Sequence, residues 1–320
     1  MARFWDLKSK TLNHWYQNCI SDYHVDRQSG AFAGISAYEI DEHSGEIVKE
    51  QLIHIYKAEN IGTHMNIDEK MIGKRYCTIL SNAKSGKIAM LLESMNPRIL
   101  FDSLSSFGVE VLNRVKHISS DMSPMFKKLC KQSFTNAKLT VDKFHVMKHM
   151  LDFVQGLRIS LKNDLTKDDN HQIQGTPWTK KQLLTKSKYL LYKTQIKWNE
   201  DEKTIADHLF KLYPKLHCAY QYIERFRQWY DLSNKSKPRW WLDKHLEQWI
   251  EDIEIDFPEP SRFIRKMLIK HQEHIINFFE NGLTNSKAEN LNGKIQRFVA
   301  FNYGLRNRDF FYYRLQVYFA

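Results

Sequence analysis

The chain has 320 residues, 48 of them Lys or Arg and 37 Asp or Glu, for a formal charge of +11 and a pI near 9.3. At roughly 100 to 200 residues per domain this length suggests about two domains and a sizeable core; 42% hydrophobic and 13% aromatic residues argue against a disordered or low-complexity chain. The positive balance suits a polyanionic partner, whereas no run approaches the roughly 18 apolar residues of a membrane span and MARFWDLKSK lacks the apolar core of a signal peptide.

Residues 1 to 60 form a mixed N-terminal region and a candidate remnant DNA-binding segment. LKSKTLNHWYQNCISDYHV reads as a short amphipathic helix, with Leu12, Trp15, Tyr16 and Cys19 at helical spacing. The four cysteines, Cys19, Cys77, Cys130 and Cys218, are scattered and form no C-x-x-C pair. This pattern supports no zinc ribbon and fits a reducing, cytoplasmic compartment.

From residue 61 the pattern sharpens. THMNIDEKMIGKRYCTILSN reads as strand, polar stretch, strand, and GKIAMLLES adds a third strand after the turn residues Ser85 and Gly86. Pro97 opens a helix with apolar residues at 100, 101, 104, 107, 111 and 112. KHISSD is a short strand ending at Asp121, SPMFKKLCKQSF is a helix with Ser123 as N-cap and Pro124 at its first position, and AKLTVDKFHV opens with another strand. The order β-β-β-α-β-α-β defines an α/β fold, whose first part extends to about residue 155. Residues 156 to 284 are read as an all-helical insertion, and residues 285 to 320 as the returning C-terminal part of the α/β domain.

The insertion holds six of the eight tryptophans, Trp178, Trp198, Trp229, Trp240, Trp241 and Trp249. Most are expected as core anchors, with one or two free to meet a base. RQWYDLSNKSKPRWW and RFVAFNYGLRNRDFFYYR interleave basic and aromatic residues, a composition that suits phosphate neutralisation with ring stacking.

Two aspartates, Asp68 in NIDEK and Asp121 in SSDMS, are read as strand ends. On neighbouring strands their carboxylates emerge together, repel each other and are relieved by a divalent cation. A third carboxylate is expected from a late helix, and Glu289 in TNSKAENLNGKIQRFVAFNYG is the best candidate. Asn285 or Ser286 caps that helix, Leu291, Ile295 and Phe298 make its apolar stripe, and Glu289, Asn292 and Gln296 fall on a polar face. Taken singly, each acid is equally a solvated strand-end or first-turn carboxylate; the joint pattern is the specific signal. Asp142 lies three residues before His145, and His145 and His149 share the i, i+4 spacing of a metal pair. With no third ligand nearby in sequence, a structural or DNA-proximal role for Asp142 and His145 is the better reading.

NIDEK, SSDMSPMF, FTNAKLTVDKFHVMKHMLDFVQGLR, LLTKSKYLLYKTQIKW and TNSKAENLNGKIQRFVAFNYGLRNRDFFYYRL together resemble bacterial insertion-sequence transposases of the ISL-three type, from about residue 60 to the C-terminus. The resemblance implies an RNase H-like mixed sheet flanked by helices, interrupted by the helical insertion before the last catalytic helix. It also implies a DDE triad of Asp68, Asp121 and Glu289 binding Mg²⁺, with Mn²⁺ as substitute. The implied chemistry is strand cleavage and strand transfer by two-metal phosphoryl transfer. Lys294, Arg297 and Arg306 are the expected DNA contacts, with Asp142, His145 and Asn292 as auxiliary residues. Implied partners are double-stranded DNA, a second copy of the chain in a synaptic complex, and a separate end-binding protein, since no cysteine pair is present for the family's N-terminal zinc finger. The implied location is the bacterial cytoplasm, at the nucleoid. The alternatives are a structure-selective nuclease on the same core, and an inactive transposase-derived DNA-binding protein.

Overall fold

The computed structural model describes residues 9–29, 35–40, 47–166, 169, 171–283, 286–301 and 307–320. The chain divides into two compact units, Met1–Thr140 with Leu283–Ala320, and Val141–Gly282.

The first unit is built on one mixed sheet. Its strands are β1 (Ile35–Ile40), β2 (Ile47–Tyr56), β3 (His64–Ile72), β4 (Arg75–Asn82), β5 (Ile88–Leu92), β6 (His117–Ser120) and β7 (Lys138–Val141), in the spatial order β1-β2-β5-β4-β3-β6-β7. Strands β3 and β4 form a hairpin whose two turn residues, Gly73 and Lys74, both have positive φ (57° and 70°). Two successive positive-φ residues match the twist of the flanking strands, as in a type I′ turn. Strand β6 runs parallel to β3, so the chain must cross over between β5 and β6. Helices α3 (Pro97–Ser105) and α4 (Val109–Leu112) make that crossing, and α5 (Pro124–Ser133) links β6 to β7. Asn96 caps α3 by accepting from Arg98 N at 2.9 Å, with Pro97 in the first turn.

Strand alternation assigns the two faces of the sheet. Ile67, Leu80 and Met90 pack with Ile99, Leu104, Phe126 and Leu129 of α3 and α5. On the opposite face Ile72, Ile79 and Leu91 pack with Leu291 and Ile295 of α12 (Ser286–Phe301) and with Phe311 and Leu315 of α13 (Arg308–Phe319). The expected α/β sheet flanked by helices is therefore observed, with α12 and α13 returning to it from the far end of the sequence.

Strands β1 and β2 were not legible in the mixed N-terminal sequence, yet they extend the sheet through pairing of β2 with β5. Ahead of them lie α1 (Ser9–Trp15), a π-helical turn (Tyr16–Ile20) and α2 (Tyr23–Ser29). The expected N-terminal helix forms, but its predicted apolar stripe is not a buried face: Trp15 is 47% exposed and Cys19 is exposed. The π turn shifts the helical phase after Trp15, and the buried anchor is Tyr23, whose ring lies 5.2 Å from those of Phe310 and Tyr313. Tyr313 also donates to Asp26 at 3.0 Å.

The second unit is helical: α6 (Lys143–Asn163), α7 (Lys180–Leu190), α8 (Glu200–Leu212), α9 (Pro214–Trp229), α10 (Arg239–Asp256) and α11 (Arg262–Asn281). Helix α6 runs unbroken across residue 156. Local signals set several of its helix starts, for example the capping boxes Thr179/Gln182 and Asn199/Glu202. Buried Arg158 reaches Leu184 O at 2.8 Å and Gln155 reaches Lys188 O at 2.9 Å, stitching α6 to α7. Of the six tryptophans expected mostly as core anchors, only Trp229 and Trp249 are buried; Trp178, Trp198 and Trp241 are half-buried and Trp240 is 66% exposed. Among the described residues no helix is long and apolar enough to cross a membrane.

Candidate active site

Parallel pairing joins the two strand segments that lead to the aspartates. His64, Met65 and Asn66 of β3 pair with His117, Ile118 and Ser119 of β6; carried two residues on, the same register sets Asp68 level with Asp121. Paired neighbouring strands lie about 4.8 Å apart, and the recorded pairing ends at Asn66 and Ser119, two residues before each aspartate. The positions differ from the sequence reading in one detail. Asp121 follows the last residue of β6, as expected, but Asp68 lies inside β3, which continues to Ile72 because the tight hairpin keeps it paired with β4. Both aspartates are half-buried.

Each carboxylate is oriented by main chain. Asp68 Oδ1 accepts from Glu69 N and Asp121 Oδ1 accepts from Ser123 N, both at 2.9 Å. Ser123 occupies the N-cap position of α5 as expected, but its side chain makes no capping bond; its own amide donates to Asp121. Beneath the acids Ser119 Oγ donates to Asn66 Oδ1 at 3.2 Å, both residues fully buried, and among the described residues Asn66 Nδ2 has no hydrogen-bond partner.

Helix α12 supplies the third element. Ala288, Leu291 and Ile295 are buried, with Phe298 packed beside them, so the predicted apolar stripe faces the sheet. Asn292 Nδ2 donates to Asp68 Oδ2 at 2.8 Å. Glu289, in the first turn of α12, precedes Asn292 by three residues and shares its face. Lys287 Nζ reaches Lys84 O at 3.3 Å, tethering the start of the helix to the turn after β4. Lys294 and Arg297 are exposed on the same helix. Asn285 and Arg306 lie outside the described residues.

Within the helical unit, Asp142 precedes α6, is 2% exposed, and lies 3.0 Å from His145 Nδ1. His149 instead sets its ring edge-on to Phe263 at 5.2 Å. Burial, more than neighbouring charges, lowers the pKa of His149 below the usual imidazole value.

A second polar cluster escaped the sequence reading because its members are dispersed along the chain. Glu93, next after β5 and 5% exposed, receives His54 Nε2 and Tyr312 OH, each at 3.1 Å, together with Arg75 and Arg308. Burial alone would raise the Glu93 carboxyl, but hydrogen bonds from His54, Arg75 and Arg308 outweigh it and hold its pKa at about 2. The cluster ties α13 to β2 and β4.

Among the described residues, no three His, Cys, Asp or Glu side chains converge into a ready-made metal cluster. The donor set at Asp68 and Asp121 nevertheless fits a hard divalent cation. Mg²⁺ takes oxygen ligands, keeps several waters and requires only one or two carboxylates beside its phosphate. Burial, with the charge of Asp121 second, pushes the Cys130 thiol up to about 12.

A family model described as a transposase, the ISL3 type of DDE transposase, matches residues 65–315. Searches of curated proteins and of solved structures return no match. The matched span begins in β3, ends in α13 and includes Asp68, Asp121 and Glu289. The chain belongs to the ISL3-type transposase family, enzymes that act on DNA, and its mixed sheet with flanking helices is an RNase H-like fold.

Proposed function

We propose that this transposase cleaves and rejoins DNA strands with Asp68, Asp121 and Glu289 as its catalytic acids. One observation carries the reading: the β3–β6 register that levels Asp68 with Asp121, next to a helix on which Glu289 stands one turn from the residue that holds Asp68. Three carboxylates near a phosphodiester would repel it, so a divalent cation is needed for DNA to approach. Mg²⁺ bound there would acidify an attacking water and stabilise the departing 3′-oxygen.

In cleavage a water oxygen bonds to phosphorus as the P–O3′ bond breaks, leaving a DNA 3′-hydroxyl. In joining that hydroxyl attacks a target phosphodiester and a second P–O3′ bond breaks. The residues contribute position. Backbone amides of Glu69 and Ser123 fix one oxygen each of Asp68 and Asp121, and Asn292 fixes the second oxygen of Asp68. Lys294 and Arg297, exposed on α12, are the proposed phosphate contacts. Two element ends must be brought together, which calls for a second copy of the chain, and a separate end-binding protein is the proposed source of end recognition.

The test is Mg²⁺-dependent cleavage and joining of labelled DNA carrying element ends, with wild type beside Asp121→Asn. Loss of both steps in the variant, at unchanged melting temperature, is the expected result. Cleavage without joining by wild type would favour a nuclease, and equal activity of the two proteins would overturn the assignment.

A further inference from the structure

The face of the first unit opposite α12 carries a groove that this chemistry leaves unused. It lies between α3 and α5 and has a volume of about 370 Å³, at the lower end of the roughly 300 to 1,000 Å³ of small-molecule sites. Its apolar lining is Pro97, Phe101, Met125 and Leu129, and Arg98 and Lys128 stand at the polar side. Phe101 is 37% exposed although Ile99 and Leu100 beside it are buried. Pro97 and Met125 belong to the first turns of their helices, so one end of the groove lies at the start of α5, three residues after Asp121 in sequence.

Charge selects the occupant. Residues 97–105 and 124–133 carry Arg98, Lys127, Lys128 and Lys131 against the single acid Asp102, an excess well beyond that of the whole chain. An exposed ring flanked by cations is the arrangement by which proteins hold unpaired nucleotides, a base on the ring and phosphates on the charges. Bases within a duplex already have stacking and pairing partners and are not free to stack on Phe101. Gln132, also in the lining, offers an amide to a base edge.

Resting on the reading that DNA is cut beside Asp121, we propose that the α3–α5 groove binds one unpaired nucleotide of the DNA strand adjoining the cut, its base against Phe101 and its phosphates at Arg98 and Lys128. The groove thereby holds a strand in place between cleavage and joining.

The probe is fluorescein-labelled dT12, followed by anisotropy without divalent metal, and the same oligonucleotide with one 5-iododeoxyuridine for photocrosslinking to the full chain. Phe101→Ala is expected to weaken dT12 binding about tenfold, with Phe101→Trp restoring it. Replacing Arg98 and Lys128 together by Gln is expected to lower the salt slope by about 1.4, at about 0.7 per phosphate contact on single strands. The crosslink on wild type should map to Phe101, a readout that depends on no variant. Crosslinks confined to other segments, or unchanged dT12 affinity in folded Phe101→Ala, would overturn the groove and leave a protein partner as its occupant. Cleavage by Asp121→Asn is scored separately: loss there with unchanged dT12 binding in Phe101→Ala sinks the groove alone, whereas retained cleavage sinks the functional reading on which it rests.

Discussion

Asn292 donates its side-chain amide to Asp68 at 2.8 Å, joining α12 to β3 across 224 positions of sequence. The bond orients a carboxylate and fixes the helical face on which Glu289 stands. A hydrogen bond to a charged group contributes about 1.5 to 3 kcal/mol. Asn292→Ala should therefore lower the melting temperature by a few degrees and, by freeing the Asp68 carboxylate, slow Mg²⁺-dependent strand cleavage by the folded protein about tenfold. Wild-type rates in this variant would show that Asp68 needs no such partner.

The Glu93 cluster is a matter of stability. Glu93→Gln removes the negative charge and one of the two acceptor oxygens that two guanidinium groups, a buried imidazole and a tyrosine hydroxyl share. Glu93 is buried but Arg75 and Arg308 are partly exposed, so solvent offsets part of the roughly 3 to 5 kcal/mol that breaking a fully buried pair costs and leaves about 1 to 3 kcal/mol. Urea denaturation should register that loss, and a change below about 1 kcal/mol would mean the cluster is well solvated.

Acid should unfold the protein through the same cluster. Glu93 is held at about 2 against an ordinary 4.5, so its contribution is present above 4.5 and is lost as the pH falls toward 2. Burial, opposed by Glu93, leaves the His54 pKa below 6.5. The folded state thus favours neutral imidazole, and stability declines as the pH falls below 6.5. Both effects have the same sign. Denaturation midpoints should drop steadily from pH 7 to pH 3, and Glu93→Gln should flatten the limb below 4.5.

Lys74 adopts a left-handed φ of 70° in the β3–β4 turn. That conformation costs a non-glycine residue about 1 to 2 kcal/mol, partly offset on replacement by the extra chain entropy of glycine. Lys74→Gly should raise stability by about 0.5 to 1 kcal/mol in thermal or urea unfolding. A loss would place the Lys74 side chain in a contact that outweighs its backbone strain.

What could be read in the sequence was local. Pro97 and Pro124 announced the starts of α3 and α5, and strand alternation from residue 64 onward exposed the β-β-β-α-β-α-β order. The polar face of α12 was visible from Leu291, Ile295 and Phe298, so Asn292 could be singled out, although its partner could not. Pairing between distant segments left no such trace. Strands β1 and β2 join the sheet through β5, and the Glu93 cluster draws on residues 54, 75, 93, 308 and 312. Even Asp68 read as a strand end because the tight turn that prolongs β3 lies beyond it in sequence.

The most direct test of a shared metal site is localised oxidation of the polypeptide. Fe²⁺ replaces Mg²⁺ at oxygen-rich sites, and with ascorbate and peroxide it cuts the backbone beside the bound ion. Mapping the fragments of the intact chain should yield cuts near residues 68, 121 and 289, all suppressed by excess Mg²⁺ and all lost in Asp121→Asn. Cuts near only one of these positions, or cuts that persist in Asp121→Asn, would show that the three acids do not hold a common ion.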